Sequence, residues 1–184
     1  MLPHDFAKWQ TVYFYYRRWK RDGTLEQIQQ ELAEKIRKQQ GRNAEPTVGI
    51  IDTPSVKTTL VAGEARGFDA GKKIKGRKRH IVVDTLGLIL AVVIQNASVQ
   101  DRDGVSEVIK VLRQTWLGIV KIFADGGYRG KLTEGVKKMF HIELEIVKRN
   151  ILFMINKKYF KIFFYCLLAV KTGNIQNERL LFDD

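Results

Sequence analysis

Ile50-Ile51-Asp52-Thr53-Pro54-Ser55-Val56-Lys57 and Ile122-Phe123-Ala124-Asp125-Gly126-Gly127-Tyr128-Arg129-Gly130 follow one pattern. In each, an apolar run of strand formers delivers a lone carboxylate to the point where the strand should stop. Aspartate beside Pro or Gly is ordinarily a turn former, because its side chain caps nearby N–H groups. Two of them, each closing a buried strand in a very basic chain, also fit paired metal ligands that act on a phosphate backbone. A right-handed crossover through a helix at 101–115 allows Val48–Asp52 and Ile119–Ala124 to be parallel neighbours. Adjacent strands lie ~4.8 Å apart, so both carboxylates would emerge at one sheet edge. Hard oxygen ligands that close suit Mg²⁺ or Mn²⁺. A pair of such ions serves phosphodiester displacement by stabilising the attacking and leaving oxygens. Gly126 and Gly127 leave room for substrate beside Asp125. On the residues alone, both readings stand.

Composition narrows the partner. The chain has 184 residues, enough for one domain with a real core. It is 45% hydrophobic and 28% charged, which places it with globular rather than disordered sequences. Lys and Arg number 32 against 20 Asp and Glu, for a formal charge of +12. That excess favours a polyanion, of which nucleic acid is the commonest. Seven of the basic residues fall between Arg66 and Arg79, opposed there only by Asp69. The alternative is a solvated charged loop. Cys166 is the single cysteine and cannot form an intramolecular disulfide. His4, His80 and His141 are too dispersed for a local zinc motif. No signal-peptide pattern opens the chain, so the expectation is cytoplasmic.

The pattern divides the chain into a helical segment (1–45), an α/β core (46–150) and a divergent tail (151–184). Residues 5–21 predict an amphipathic helix whose Phe6, Trp9, Val12, Tyr13, Tyr16 and Trp19 stripe suits core packing better than base stacking. Thr24 with Gln27 predicts a capping box opening a second helix. From residue 48 the period changes to that of strands. The expected order is a strand at 48–52, a long loop at 58–79, a hairpin of 80–84 with 88–96, a helix at 101–115, a strand at 119–124, a helix at 132–140 and a strand at 142–147. This is a mixed α/β sheet. The tail turns abruptly rich in Ile, Lys, Asn, Phe and Tyr, with an apolar run too short to span a membrane. It has the composition of AT-rich sequence translated in a shifted or unrelated frame.

Several longer motifs, in order, resemble one family. They are Leu2-Pro3-His4-Asp5-Phe6, Trp9-Gln10-Thr11-Val12-Tyr13, Asp52-Thr53 with Ser55-Val56-Lys57-Thr58, and Gly71-Lys72-Lys73-Ile74-Lys75-Gly76-Arg77-Lys78-Arg79-His80. Val83-Asp84-Thr85-Leu86-Gly87, Val99-Gln100-Asp101-Arg102-Asp103-Gly104 and Ala124-Asp125-Gly126-Gly127-Tyr128 complete the set. The chain resembles bacterial insertion-sequence transposases of the DDE superfamily over residues 1–150. The resemblance implies an RNase H-like catalytic domain akin to retroviral integrases. It also implies two divalent ions (Mg²⁺ or Mn²⁺) held by an acidic triad, with DNA as the partner, both element ends and target. Asp52 and Asp125 match the first two acids. Lys57, Arg66, Lys72, Lys73, Lys75, Arg77, Lys78 and Arg79 are the expected DNA contacts, because phosphate neutralisation needs clustered cations.

Two departures shape the expected activity. The match opens inside a motif at Met1, and beyond 147 nothing matches the helix that carries the family's third acid, a glutamate. Glu178-Arg179 is a superficial match whose neighbours do not support it. The expectation is therefore a transposase truncated at both ends, with impaired strand transfer. The alternatives are a non-catalytic DNA-binding remnant that associates or competes with a full-length relative, and an RNase H-like nuclease. No membrane attachment is expected.

Overall fold

In the computed structural model of this protein, residues 3–58, 66–130 and 132–147 are described. Helices α1 (Trp9–Asp22) and α2 (Thr24–Gln39) come first. Seven strands follow: β1 (Val48–Asp52), β2 (Ser55–Lys57), β3 (Gly67–Asp69), β4 (Ile74–Val83), β5 (Ile89–Asn96), β6 (Lys121–Ala124) and β7 (Glu143–Ile146). Helix α3 (Asp101–Thr115) separates β5 from β6, and α4 (Leu132–Phe140) precedes β7. The main sheet order is β2-β4-β1-β6-β7, with β3 and β5 also paired to β4. β1 is antiparallel to β4 and parallel to β6, and β6 is parallel to β7. The result is the mixed α/β sheet expected of an RNase H-like domain.

β4 is the spine. Along one side it pairs first with β2 and then with β1, and along the other with β3 and then β5. Gly76 is the crowded point, opposite both Lys57 and Gly67. A Cβ there would lie 1.9 Å from the Val56 carbonyl oxygen, so only glycine lets β2 close on β4.

Strand alternation sorts the core into two faces. Ile51, Val82, Ile122 and Ala124 point to the main cluster, which includes Val105, Val108, Ile109 and Leu112 of α3, Val136 of α4 and Ala33 of α2. Ile50, Ile81, Val83 and Ile89 form a second cluster on the opposite face. Full burial of each such aliphatic is worth about 1.5–3 kcal/mol. Asp101 and Asp103 in the first turn of α3 add a favourable interaction with its dipole.

α2 is tied to the sheet by a buried ion pair. Arg37 Nη1 donates to Asp84 Oδ2, and the Asp84 Oδ1 atom accepts from Leu86 N at 2.9 Å and Leu88 N at 2.8 Å. One carboxylate thus shapes the β4–β5 turn and anchors the preceding helix. Gly87, at φ 82°, completes that turn.

Three expectations need correction. Residues 74–79 are not loop but the first half of β4, and 55–57 and 67–69 are short strands flanking it. Charge hides the period: Lys75, Arg77 and Arg79 alternate with Gly76, Lys78 and His80, of which the last three are buried. The aromatic stripe of α1 is not core, because no residue of that helix is buried, and Trp9 (62% exposed) and Phe14 (61%) stand in solvent. Nor does Thr24 form a capping box. Gly23 is the cap, and the Thr24 hydroxyl donates to Asp22 Oδ1 at 2.6 Å. The tail at 151–184, with Glu178, lies outside the described residues.

Candidate active site

The two parallel strands bring the aspartates together as the sequence predicted. Val48, Gly49 and Ile50 pair with Lys121, Ile122 and Phe123, and two more steps of that register set Asp52 beside Asp125. Asp125 retains extended backbone at φ −80°, ψ 177°. Alternation therefore puts both carboxylates on the face of Ile50, Ile81 and Phe123, away from α3.

Each carboxylate is oriented by the chain just after it. Asp52 Oδ1 accepts from Thr53 N at 2.8 Å, and Asp125 Oδ1 accepts from Gly127 N at 2.9 Å. Asp125 also caps the short 3₁₀ turn Gly126–Tyr128. The glycines differ in role. A Cβ on Gly127 would press on Asp125 Oδ1 at 3.1 Å, whereas one on Gly126 would meet nothing nearer than Arg129 Nε at 3.8 Å. Gly127 protects the carboxylate geometry, and Gly126 leaves the approach open.

Thr53, on the α3 side, is buried with Tyr128 and His80. Its Oγ1 is hydrogen-bonded to Tyr128 OH and lies 3.1 Å from His80 Nδ1. Burial pushes the Tyr128 phenol far above its usual range against the opposing Thr53 hydrogen bond, and the negative charges of Asp101, Asp52 and Asp125 add to it. It is a neutral hydroxyl at any working pH. Lys72 Nζ donates to the Thr53 carbonyl at 2.6 Å and lies 3.8 Å from Asp101.

Burial lowers the His80 pKa; Lys78 lowers it further, while Asp101, Gln95 and Glu107 oppose the shift. His80 is neutral in the fold, but its unfolded counterpart takes a proton near the ordinary histidine value of about 6.5. Protonation therefore favours the unfolded chain. Stability from this group is complete above that pH and is lost as pH falls toward the folded value. The melting temperature of the wild type should drop more steeply between pH 7.5 and 5 than that of His80→Gln. Parallel profiles would contradict this assignment.

The predicted basic residues separate into groups. Lys75, Arg77 and Arg79 occupy alternate positions of β4 and so share the face of the aspartates. Lys73, with φ 54°, and Lys57 are exposed, though Lys57 pairs with Gly76 and lies on the other face. Arg66 is half-buried. Lys78 is turned inward, 2.7 Å from Asp101 Oδ1 and 3.5 Å from Asp69 Oδ2, so its charge is spent inside the protein. Burial raises the Asp69 pKa, but hydrogen bonds from Ser55 Oγ and Lys72 N, with the charges of Lys78 and Lys72, outweigh it and hold Asp69 ionised. Sequence reasoning missed Thr53, His80 and Tyr128. The signal available was a hydroxyl and a phenol within three residues of each aspartate.

The model of the transposase DDE domain family matches residues 43–151, more than half of the chain. The chain belongs to this family. No curated protein matches it. Among solved structures, it is similar to the catalytic core domain of HTLV-2 integrase in complex with magnesium. Against the dimeric form the identity is 17% and the TM-score 0.42, covering 71% of this chain and 78% of that one. Against the trimeric form the values are 17% and 0.39, covering 73% and 91%.

The donor chemistry of this DDE domain fits a hard divalent cation in kind, since Asp52 and Asp125 offer carboxylate oxygens at one sheet edge. It is short in number. Among the described residues, no group of three or more His, Cys, Asp or Glu side chains is placed to hold a metal. Among those residues, too, no helix is long and apolar enough to cross a membrane.

Proposed function

We propose that this chain is a DNA transposase by descent, in which Asp52 and Asp125 are the first two acids of a two-ion phosphodiester-transfer site and strand transfer is impaired. The observation that supports this most is the β1–β6 register, which carries both aspartates to one edge on the face bearing Lys75, Arg77 and Arg79. A DNA phosphate track along those cations would pass the carboxylates, in the cytoplasm where the chain would meet DNA. Asp52 and Asp125 would hold Mg²⁺ or Mn²⁺, which when bound activates the attacking oxygen and stabilises the leaving one. The N–H groups of Thr53 and Gly127 fix the carboxylate orientation, and Gly126 admits the backbone. The impairment is read from the donors among the described residues, where two carboxylates would hold a second ion weakly and place it poorly.

The second reading, a non-catalytic DNA-binding remnant, draws on the same cationic face and differs only in lacking cleavage. Both are tested with a duplex carrying the element's ends. Binding should weaken with salt, and Lys75→Gln with Arg77→Gln should reduce the salt slope by about one per lost phosphate contact. Mg²⁺-dependent nicking should be slow and should vanish in Asp125→Asn. Robust strand transfer that needs Asp125 would overturn the impairment and keep the site. Nicking indifferent to Asp125 would sink the site itself, and binding with no nicking at all would favour the remnant.

A further inference from the structure

The row of polar side chains behind the aspartates has a direction, and its charged end fixes it. Glu107 on α3 carries a carboxylate, which can only accept, so the group facing it is the Gln95 amide nitrogen. Gln95 Oε1 is then an acceptor aimed inward. It and His80 Nε2 are both buried and without a hydrogen-bond partner, and both crowd the same point beside Gly104. A Cβ on Gly104 would lie 2.2 Å from His80 Nε2 and 2.6 Å from Gln95 Oε1. The acceptor calls for the proton on His80 Nε2. His80 Nδ1 is consequently an acceptor, so the Thr53 hydroxyl donates to it at 3.1 Å. With its only proton so used, Thr53 Oγ1 accepts from Tyr128 OH.

The donors therefore run one way: Tyr128 to Thr53, Thr53 to His80, and Gln95 to Glu107, with the His80 Nε2 proton turned toward the unpartnered Gln95 Oε1 between them. One of these links, Tyr128 to Thr53, joins two strand ends. Thr53 follows Asp52 on β1, and Tyr128 ends the turn that Asp125 opens after β6. Beyond β-sheet pairing, the Thr53–Tyr128 bond is a direct side-chain tie between the two loops that bear the acids. Its partner His80 is fully buried on β4, the strand paired to β1 on its other side. Thr53, His80 and Tyr128 are buried, so losing either link among them leaves an unpaired polar group.

We propose that Tyr128, Thr53 and His80 are positioning residues that couple the ends of β1 and β6, setting the separation of Asp52 and Asp125. The role in ion binding rests on the function proposed above, whereas the coupling of the two ends does not. The Nε2 proton of His80 and the acceptor on Gln95 give the relay one polarity, so Thr53 cannot rotate its hydroxyl away without orphaning His80. Thr53→Ser keeps the hydroxyl and should keep the coupling. Thr53→Val and Tyr128→Phe each remove it.

The test uses the full chain in two measurements. Hydrogen–deuterium exchange should rise in both segments 50–55 and 122–130 in Tyr128→Phe and in Thr53→Val. It should stay near wild type in Thr53→Ser, and the double variant should exchange no faster than either single one. Mn²⁺ affinity, read by electron paramagnetic resonance, should weaken about tenfold to a hundredfold in Tyr128→Phe and Thr53→Val and recover in Thr53→Ser. Should Thr53→Val fail to fold, Tyr128→Phe against Thr53→Ser carries the same comparison. Exchange confined to the mutated segment overturns the proposal. So does an Mn²⁺ affinity unchanged in Tyr128→Phe and Thr53→Val when wild-type binding depends on Asp125. Coupled exchange in a wild type that binds no Mn²⁺ upholds the tie and overturns only the ion reading.

Discussion

Asp84→Ala should cost about 3–5 kcal/mol of folding stability, since it strands the buried Arg37 guanidinium without its counter-charge. It also takes the acceptor from Leu86 N and Leu88 N in the β4–β5 turn. The pair is worth less than its rupture suggests, because both charges were desolvated to make it. The cycle should show this: Asp84→Ala with Arg37→Met should recover part of the loss that Asp84→Ala incurs alone. Asp84→Asn, which retains one carbonyl oxygen for the turn, should fall between. Urea unfolding of the full chain measures the wild type and these three variants. A loss under about 1 kcal/mol for the single change would mean that α2 is not held to the sheet by this contact.

Gly104→Ala sets two effects of opposite sign against each other. Alanine is favoured over glycine in a helix by roughly 1 kcal/mol. At this position, however, the new methyl would lie 2.2 Å from both Cε1 and Nε2 of His80. His80 is fully buried and held at Nδ1 by Thr53, so it has nowhere to retreat. Overpacking of this kind costs about 1–3 kcal/mol, and a contact this short belongs at or above the upper end. We expect a net loss of about 2 kcal/mol. Thermal melts should show the variant less stable than the wild type. A gain would mean that α3 can ride outward from β4 without penalty.

What could be read in the chain follows from the range of the interactions. The parallel placement of Asp52 beside Asp125 was legible because each strand announces itself locally, by an apolar run ended at Pro54 or Gly126. Helices α2, α3 and α4 were legible from their apolar spacing. The first half of β4 was not, because Lys75, Arg77 and Arg79 look like loop charge. Only the structure reveals that Lys78 is neutralised by Asp69 and Asp101. The exposure of Trp9, Tyr13 and Trp19 was also hidden, since periodicity marks an apolar stripe without saying whether anything covers it. Arg37 with Asp84, and Thr53 with His80 and Tyr128, join residues 27 to 75 positions apart, and no local pattern encodes such partners.

In the proposed function Asp52 and Asp125 act as joint ligands. Calorimetric titration of Mn²⁺ into the wild type, Asp52→Asn, Asp125→Asn and the double variant tests this most directly. The prediction is saturable binding in the wild type and a loss of tenfold or more in either single variant. The double variant should lose little further, because one aspartate alone no longer makes the site. Equal affinity across all four proteins would contradict the account and return both aspartates to the role of strand-end turn formers.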